Sequence, residues 1–342
     1  MPSVAPSYLI EISTSASTIP EYVWDAWRAH ARDSNVMLPH AENARHQEST
    51  GHKSNGIWIS CATSTAYRAP AVDFVLSCTA GSLGSYPLFV FTPLPLDELD
   101  NDYVYPRLLA LADALRTAVP VERVFSVFAP ETITRLFVSI WTEITGVPLA
   151  PSAEYYAAKI SYCTKQSLRP RSISLLPGVE YDLRLAMEED TLQVAELCYG
   201  FAVESEPFVL SKEGAISEAS ILIRKRQLWV HEIHAHGQPS EIASIVAFTR
   251  TSETVASITK VYTNPRWRKR GCAERLTRKV CKHLLKTKES VVLYVAHNNP
   301  AAAKVYHRVG FVGLEPQAEK VPGVDSWLEL GFDRRRVVLG HW

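Results

Sequence analysis

Hydrophobic and polar positions change their period along the second half of the chain, and each period predicts one kind of element. Residues 180–186 alternate between polar and apolar side chains, as a half-buried strand does. Acidic residues then precede a helical pattern over 190–201, and a second helical pattern covers 212–226. Three successive strands are predicted next, at 228–235, 241–250 and 255–263.

The same half continues with a one-sided apolar helix, predicted over 272–286. A buried-type strand at 291–296 and a helix at 300–309 follow, and Gly310 supplies the usual left-handed helix end. Two closing strands are predicted at 311–315 and 326–332. This order, β-α-α-β-β-β-α-β-α-β-β, indicates an α/β fold with a mixed (α+β) sheet and helices on both faces.

The first half carries a weaker pattern of the same kind. Its predicted elements are helices at 20–32, 103–118 and 131–145, and strands at 57–62, 72–78, 88–92, 124–128 and 155–163. Their order, α-β-β-β-α-β-α-β, repeats the order of the second half, so we interpret the chain as a diverged internal duplication.

A polar segment with two prolines, 166–178, separates the two patterns. We therefore predict an N-terminal domain over 1–166, a linker over 167–178 and a C-terminal domain over 179–342. The length of 342 residues is sufficient for two domains.

Composition narrows the classes of function. Lysine plus arginine and aspartate plus glutamate number 36 each, so the whole molecule has no net charge that would favour nucleic acid or a membrane. No apolar run reaches the roughly 18–20 residues that span a bilayer. The six cysteines form no CxxC pair and complete no metal-ligand pattern. We expect a cytoplasmic protein with reduced thiols, no metal, no nucleic-acid partner and no membrane partner.

A cationic loop joins the predicted strand 255–263 to the next helix. Its residues are Arg268, Lys269, Arg270, Gly271, Cys272 and Ala273. Backbone N–H groups at a helix start have no intrahelical partners and bind phosphates readily. Ten basic residues stand against one acidic residue between positions 264 and 288. The loop is therefore a candidate site for a multiply charged anion, and the alternative is a solvated basic helix after a turn.

Two linked motifs carry a resemblance to a known family. The first is a strand ending in V-x-x-x-P followed by R-x-x-G-x-A, formed by Val261, Pro265, Arg268, Gly271 and Ala273. The second is N-x-x-A-x-x-x-Y-x-x-x-G-F, formed by Asn299, Ala302, Tyr306, Gly310 and Phe311. In this order they resemble the acetyl-coenzyme A signatures of the GNAT superfamily of N-acetyltransferases, over about half of the chain. The resemblance implies the GNAT acyl-CoA N-acyltransferase fold and, with the repeated order, tandem GNAT-like domains.

The resemblance also implies roles for single residues in binding acetyl-coenzyme A, which would be the only cofactor. In such proteins the strand before the loop splays from its neighbour, and backbone groups at Val261, Tyr262 and Thr263 would bind the pantetheine arm. Main-chain N–H groups of 268–273 would hold the pyrophosphate.

The second motif would serve the cofactor arm and the leaving group. Asn299 matches an amide that contacts the cofactor arm, and Ala302 belongs to the same motif. Tyr306 matches a hydroxyl near the thioester sulfur, where it would donate to the leaving thiolate. A backbone N–H near Val261 would stabilise the oxyanion of the reaction.

The general base lies outside these motifs. Some relatives place a glutamate on the strand equivalent to 255–263, which here has none. Glu204 and Glu206 are candidates because the loop that holds them usually borders the acceptor site in the family. Glu232 and His234 on the preceding strand are alternatives, and a water chain could also do the work.

The first half has neither a cationic loop nor a tyrosine at the matching places. Its strand 88–92 is followed by the acidic sequence PLPLDELDNDY, which would repel pyrophosphate, and its helix 131–145 has no tyrosine. We predict a degenerate GNAT-like N-terminal domain without a cofactor loop. The hypothesis for the whole chain is an acetyl-CoA-dependent N-acetyltransferase acting on a primary amine, most simply of a small molecule, in a ternary complex. The alternatives are a protein or peptide N-acetyltransferase and a non-catalytic CoA-binding protein.

Overall fold

The computed structural model describes residues 7–53, 55–65, 68–170, 178–315 and 320–341. The chain divides into two compact units, each described below by itself. The first unit is Met1–Ala158 with Ser326–Trp342, and the second unit is Lys159–Asp325. These bounds differ from the predicted domains 1–166 and 179–342, because the end of the chain joins the first unit.

The first unit contains an open mixed sheet with helices packed on it. Its strands are β1 Ser7–Ser13, β2 Ile57–Thr65, β3 Arg68–Cys78, β4 Ala80–Gly81, β5 Gly84–Ser85, β6 Leu88–Phe91, β7 Ser126–Pro130, the first part of β8 Leu149–Thr164, and β14 Ser326–Phe332. Its helices are α1 Glu21–Ala29, α2 Leu38–Ser49, α3 Asn101–Ala118 and α4 Glu131–Thr145. The sheet order is β1-β2-β3-β6-β7-β14-β8, and β4 pairs with β5 separately.

The second unit has the same kind of architecture. Its strands are the end of β8, then β9 Val179–Leu185, β10 Leu228–Ala235, β11 Glu241–Thr251, β12 Val255–Thr263 and β13 Ser290–Ala296. Its helices are α5 Thr191–Val203, α6 Lys212–Arg224, α7 Cys272–Leu284 and α8 Pro300–Val309. The sheet order is β8-β13-β12-β11-β10-β9. One apolar cluster lies under α7 and α8, and another lies under α5 and α6.

Local periodicity located most elements within a few residues of their ends. The structure adds elements to the first half that the pattern missed, namely β1, α2 and the short strands β4 and β5. Helix α2 is polar, and only Leu38, Ala41 and Ala44 are buried in it, so it shows little hydrophobic periodicity. With β1 and α2 included, and the short pair β4–β5 left out, both halves of the sequence follow the order β-α-α-β-β-β-α-β-α-β.

One predicted strand was wrong. Residues 311–315 form bends and irregular chain instead of a strand. The backbone N–H of Phe311 donates to the carbonyl of Tyr306, and the N–H of Val312 donates to the carbonyl of Tyr162. These bonds join the end of α8 to β8. Phe311 is apolar because its ring packs in the core cluster under α7 and α8, not because it belongs to a strand.

The strand at 326–332 was predicted correctly, but its place in the fold was not. β14 pairs antiparallel with β7 in the first unit, from Trp327 opposite Pro130 to Gly331 opposite Ser126. The indole of Trp327 lies 5.1 Å from the ring of Phe128, measured between ring centres. The last strand of the sequence therefore completes the sheet of the first unit.

Candidate functional site

Strands β12 and β13 separate shortly after they begin. They pair in parallel over three residue pairs, Val255–Ser290, Ala256–Val291 and Ser257–Val292. Both strands then continue, to Thr263 and Ala296, with no further pairing between them in the described part of the chain. On its other side β12 stays paired with β11 up to Thr263. Every second backbone group of β12 beyond Ser257 therefore faces an opening, where a ligand chain can take the place of a neighbouring strand.

The cationic loop follows this opening directly. Gly271 has a φ of 75° and is the N-cap of α7, and Lys269 also has a positive φ, 62°. No side chain caps the helix, so its first N–H groups are left for an external acceptor. Arg268, Lys269 and Arg270 are exposed around this helix start. The geometry is that of an anion site, in which backbone N–H groups and the helix dipole act together.

Two basic residues near the loop, Arg275 and Arg278, are buried and bind other groups of the protein. The guanidinium of Arg278 is buried, and it donates to the carbonyls of Arg169 and Arg308 and to the carboxylate of Glu274. Arg275 is also buried, and donates to the carbonyl of Arg270 at 2.8 Å. The side chains of Arg275 and Arg278 therefore bind groups of the protein itself. The exposed cations of the loop itself are the ones placed to meet a ligand.

Helix α3 of the first unit occupies the place of α7 in the element order, and its start is different. The side chain of Asp100 caps it and accepts from the N–H of Tyr103 at 2.7 Å. A carboxylate of the protein thus fills the position that a phosphate would need. Its negative charge would also repel a second anion.

The start of α8 is closed by the side chain of Asn299. Its Oδ1 accepts from the N–H of Ala302 at 3.0 Å, so the carbonyl side of this amide serves as the helix cap. The two motif residues Asn299 and Ala302 therefore bind each other through the side-chain oxygen of Asn299.

Tyr306 projects from the second turn of α8 into the apolar cluster under α7 and α8. Its side chain is only 9% exposed, and its ring meets that of Phe311 edge-on at 5.8 Å between centres. Burial raises the pKa of the hydroxyl above its usual range, and the nearby Cys281 raises it further. The hydroxyl therefore keeps its proton at all physiological pH values and can act as a donor.

The loop residue Cys272 is buried as well. Burial raises the pKa of its thiol, against the opposing effect of Arg275 and Arg270. A raised pKa lowers the thiolate fraction, so this cysteine is a small packing residue at the helix start and not a nucleophile.

Of the two candidate bases after α5, only Glu204 meets the loop. Its Oε1 accepts from Nη2 of Arg268 at 2.6 Å and from the hydroxyl of Tyr262 at 3.3 Å. Glu206 is exposed and precedes a cis bond to Pro207. The structure thus brings Glu204 to the end of β12 and leaves Glu206 in solvent.

The alternative candidates on β10 have other partners. Glu232 accepts from Nε of Arg184 at 2.7 Å, and this arginine also binds Asp190. The ion pair lowers the pKa of Glu232 below its usual range. His234 lies 3.1 Å from Asp182 across the edge strand β9. Both side chains therefore contact residues of the neighbouring strand β9.

A further carboxylate near β12 went unnoticed in the sequence. Glu218 on α6 accepts from Nζ of Lys260 on β12, at 2.7 and 2.6 Å to its two oxygens. Both side chains are nearly buried, and Nζ lies 4.8 Å from the ring centre of Phe201. The two residues stand 42 positions apart in sequence, so no local spacing could reveal the pair.

The described residues contain no cluster of histidine, cysteine, aspartate or glutamate suited to a metal ion. Among the described helices, none is long and apolar enough to cross a membrane.

Comparisons with known proteins agree with this geometry. Residues 239–318 match the model of the family described as FR47-like protein, and this match contains β12, the loop, α7 and α8. No curated protein matches the chain.

Two solved structures resemble the whole fold. A tandem GNAT protein from the clavulanic acid biosynthesis pathway is 12% identical, with 94% of this chain and 98% of that chain covered and a TM-score of 0.51. A Drosophila protein is 12% identical, with 95% and 99% covered and a TM-score of 0.58. The chain has the tandem GNAT fold, as the two motifs and the repeated order of elements together predicted. Its second half contains the FR47-like segment of that fold.

Proposed function

We propose that the chain is an acetyl-CoA-dependent N-acetyltransferase whose site lies in the second unit. The observation that carries the proposal is the separation of β12 and β13 after Ser257, directly before an uncapped helix start at Gly271. An open strand edge suits the amide groups of a pantetheine arm, and the helix start suits a pyrophosphate. The open edge of β12 is followed by the helix start, just as the pantetheine arm is followed by the pyrophosphate in coenzyme A.

The residues present fit this ligand chemically. Backbone groups of β12 from Val261 to Thr263 would hold the arm, and the N–H groups at Gly271–Ala273 would hold phosphate oxygens. Lys269 and Arg270 are exposed beside them and add charge. The ligand would supply an activated acetyl group as a thioester.

Tyr306 would act on the leaving sulfur. Its hydroxyl keeps its proton, and because burial raises its pKa it would donate a hydrogen bond to the developing thiolate and retain the proton. Acetyl transfer to an amine needs no covalent intermediate with the protein, and the raised pKa of the Cys272 thiol in the loop does not favour one there.

The acceptor is proposed to be a primary amine of a small molecule. Glu204 stands at the end of β12 with half of its side chain exposed, and Glu206 follows in the same loop. Two carboxylates favour a cationic amine, and either could take its proton, directly or through water.

The test is incubation of the full chain with acetyl-CoA and a library of amines, with free thiol as the readout. Thiol release with a small amine supports the proposal. Release only with peptides or proteins would assign a macromolecular acceptor. Tight CoA binding without turnover on any amine would identify a non-catalytic CoA-binding protein, and absence of CoA binding would reject the cofactor site itself.

A further inference from the structure

The first arginine of the cofactor loop is held by the protein's own carboxylate. Nη2 of Arg268 donates to Oε1 of Glu204 at 2.6 Å, and its Nε donates to the carbonyl of Thr263 at 3.1 Å. The guanidinium lies 5.2 Å from the ring centre of Tyr262, whose hydroxyl donates to the same glutamate oxygen. The segment after α5 is thereby tied to the loop.

This contact is exposed and can be exchanged. The side chain of Arg268 is 44% exposed and that of Glu204 is 54% exposed, and such ion pairs contribute little to stability. A pyrophosphate carries more charge than a carboxylate and offers more acceptor oxygens to a guanidinium. It would therefore replace the carboxylate at Arg268 at small cost.

We propose that Glu204 is a built-in competitor for the pyrophosphate at Arg268. Its carboxylate occupies the guanidinium while the cofactor is absent, and cofactor binding releases it together with the segment after α5. This inference rests on the proposed function, since it assumes a diphosphate ligand at the loop. By linkage, a ligand that binds the released Glu204 would strengthen cofactor binding, and the cofactor would strengthen binding of that ligand to the same degree.

The test is calorimetric titration of the full chain with coenzyme A and, separately, with pantetheine, which lacks the pyrophosphate. The Glu204→Gln variant should bind coenzyme A about 2- to 5-fold more tightly, the range that an exposed ion pair contributes. Its affinity for pantetheine should not change. Weaker or unchanged binding of coenzyme A by this variant would overturn the proposal.

Two controls separate competition from a general change of charge. Glu196 is exposed on α5, two turns before Glu204, and Glu196→Gln removes the same charge without touching Arg268. An equal gain in this variant would show a field effect only and reject the proposal. In an Arg268→Gln background, which should bind coenzyme A more weakly, Glu204→Gln should give no further gain.

The outcomes also distinguish this inference from the proposed function. If the unaltered chain binds coenzyme A but Glu204→Gln gains nothing, the competition is rejected and the acetyltransferase proposal stands. If the unaltered chain does not bind coenzyme A, both are rejected.

Discussion

At the scale of single residues, the cationic loop 268–273 depends on one backbone conformation. Gly271 has a φ of 75°, where side chains cost roughly 1–2 kcal/mol, and it stands where phosphate oxygens would approach the N–H groups of α7. Gly146 has a similar φ of 69° at the end of α4, and no atom lies within 4 Å of the place where a Cβ would stand. Both glycines have a positive φ that other residues rarely adopt, but Gly271 stands at the start of a helix and Gly146 at the end of one.

We therefore expect Gly271→Glu to weaken coenzyme A binding at least about tenfold, because it adds a negative charge and bulk at the helix start. Gly146→Glu should lower the melting temperature about as much as Gly271→Glu does, but it should leave the affinity for coenzyme A unchanged. Calorimetric titration of both variants is the measurement. Unchanged affinity in Gly271→Glu would show that the anion site is elsewhere.

A second prediction at this scale concerns Tyr306. Replacement by phenylalanine keeps the ring in the core and removes the proton donor, so turnover should fall about 100-fold while coenzyme A affinity stays within about twofold. Tyr199, exposed on α5, provides the matched control, and Tyr199→Phe should keep full turnover. Equal turnover of Tyr306→Phe and the unaltered chain would assign Tyr306 to packing alone.

At the scale of elements, helix α7 covers a buried histidine. His231 on β10 is fully buried, and its ring stacks on Tyr181 at 4.8 Å between centres. Both ring nitrogens lack a hydrogen-bond partner within the described residues. The guanidinium carbon of Arg275 lies 5.3 Å from the ring centre of Tyr181, the residue on which His231 stacks. Burial and then the charge of Arg275 lower the pKa of His231 to about 4.

This environment favours the neutral imidazole, so the native state is penalised when the histidine must take a proton. The contribution of neutral His231 to the free energy of unfolding is fully present above the ordinary pKa of 6.5. It is lost as pH falls from 6.5 to about 4. A shift of this size corresponds to a loss on the order of 3 kcal/mol. Urea unfolding across this pH range should show it.

The His231→Phe variant should show a flatter pH dependence between 6.5 and 4, because the stack on Tyr181 can persist without a titrating group. His46, exposed on α2, gives the control, and His46→Phe should keep the original slope. An unchanged slope in His231→Phe would show that other groups cause the acid sensitivity.

At the scale of the whole molecule, the two halves of the sequence do not coincide with the two units. β14 comes last in the chain, yet it lies against β7 in the first unit, where Ser126 donates to the buried Glu329 at 2.6 Å. Trp327 is 2% exposed in this contact. Residues at the end of the second half therefore contribute to the stability of the first unit.

Replacement of Trp327 by alanine tests this arrangement. Loss of a buried tryptophan should destabilise the protein by about 3–5 kcal/mol. Hydrogen exchange should accelerate first in β7 and β6 of the first unit, and β11 and β12 should keep more of their protection. Uniform or opposite acceleration would contradict the assignment of β14 to the first unit.

Local patterns were sufficient for much of this protein. Local patterns located α4, α8, β10 and β12 with the bounds that the structure has, because the two helices bury one face and the two strands are short, mostly buried runs that end at loops. The motif spacing also indicated the tandem GNAT fold. Helix α2 was not predicted because it buries too few apolar side chains to show a helical period in the sequence.

The remaining features depend on residues that are far apart in the chain. The separation of β12 and β13, the Glu204–Arg268 pair and the place of β14 each involve partners separated by more than about thirty positions. The sequence by itself determined the elements and the loop chemistry, since both arise from neighbouring residues. Only the tertiary structure decided which carboxylate meets the loop and which unit the last strand completes, because packing between distant segments leaves no local period.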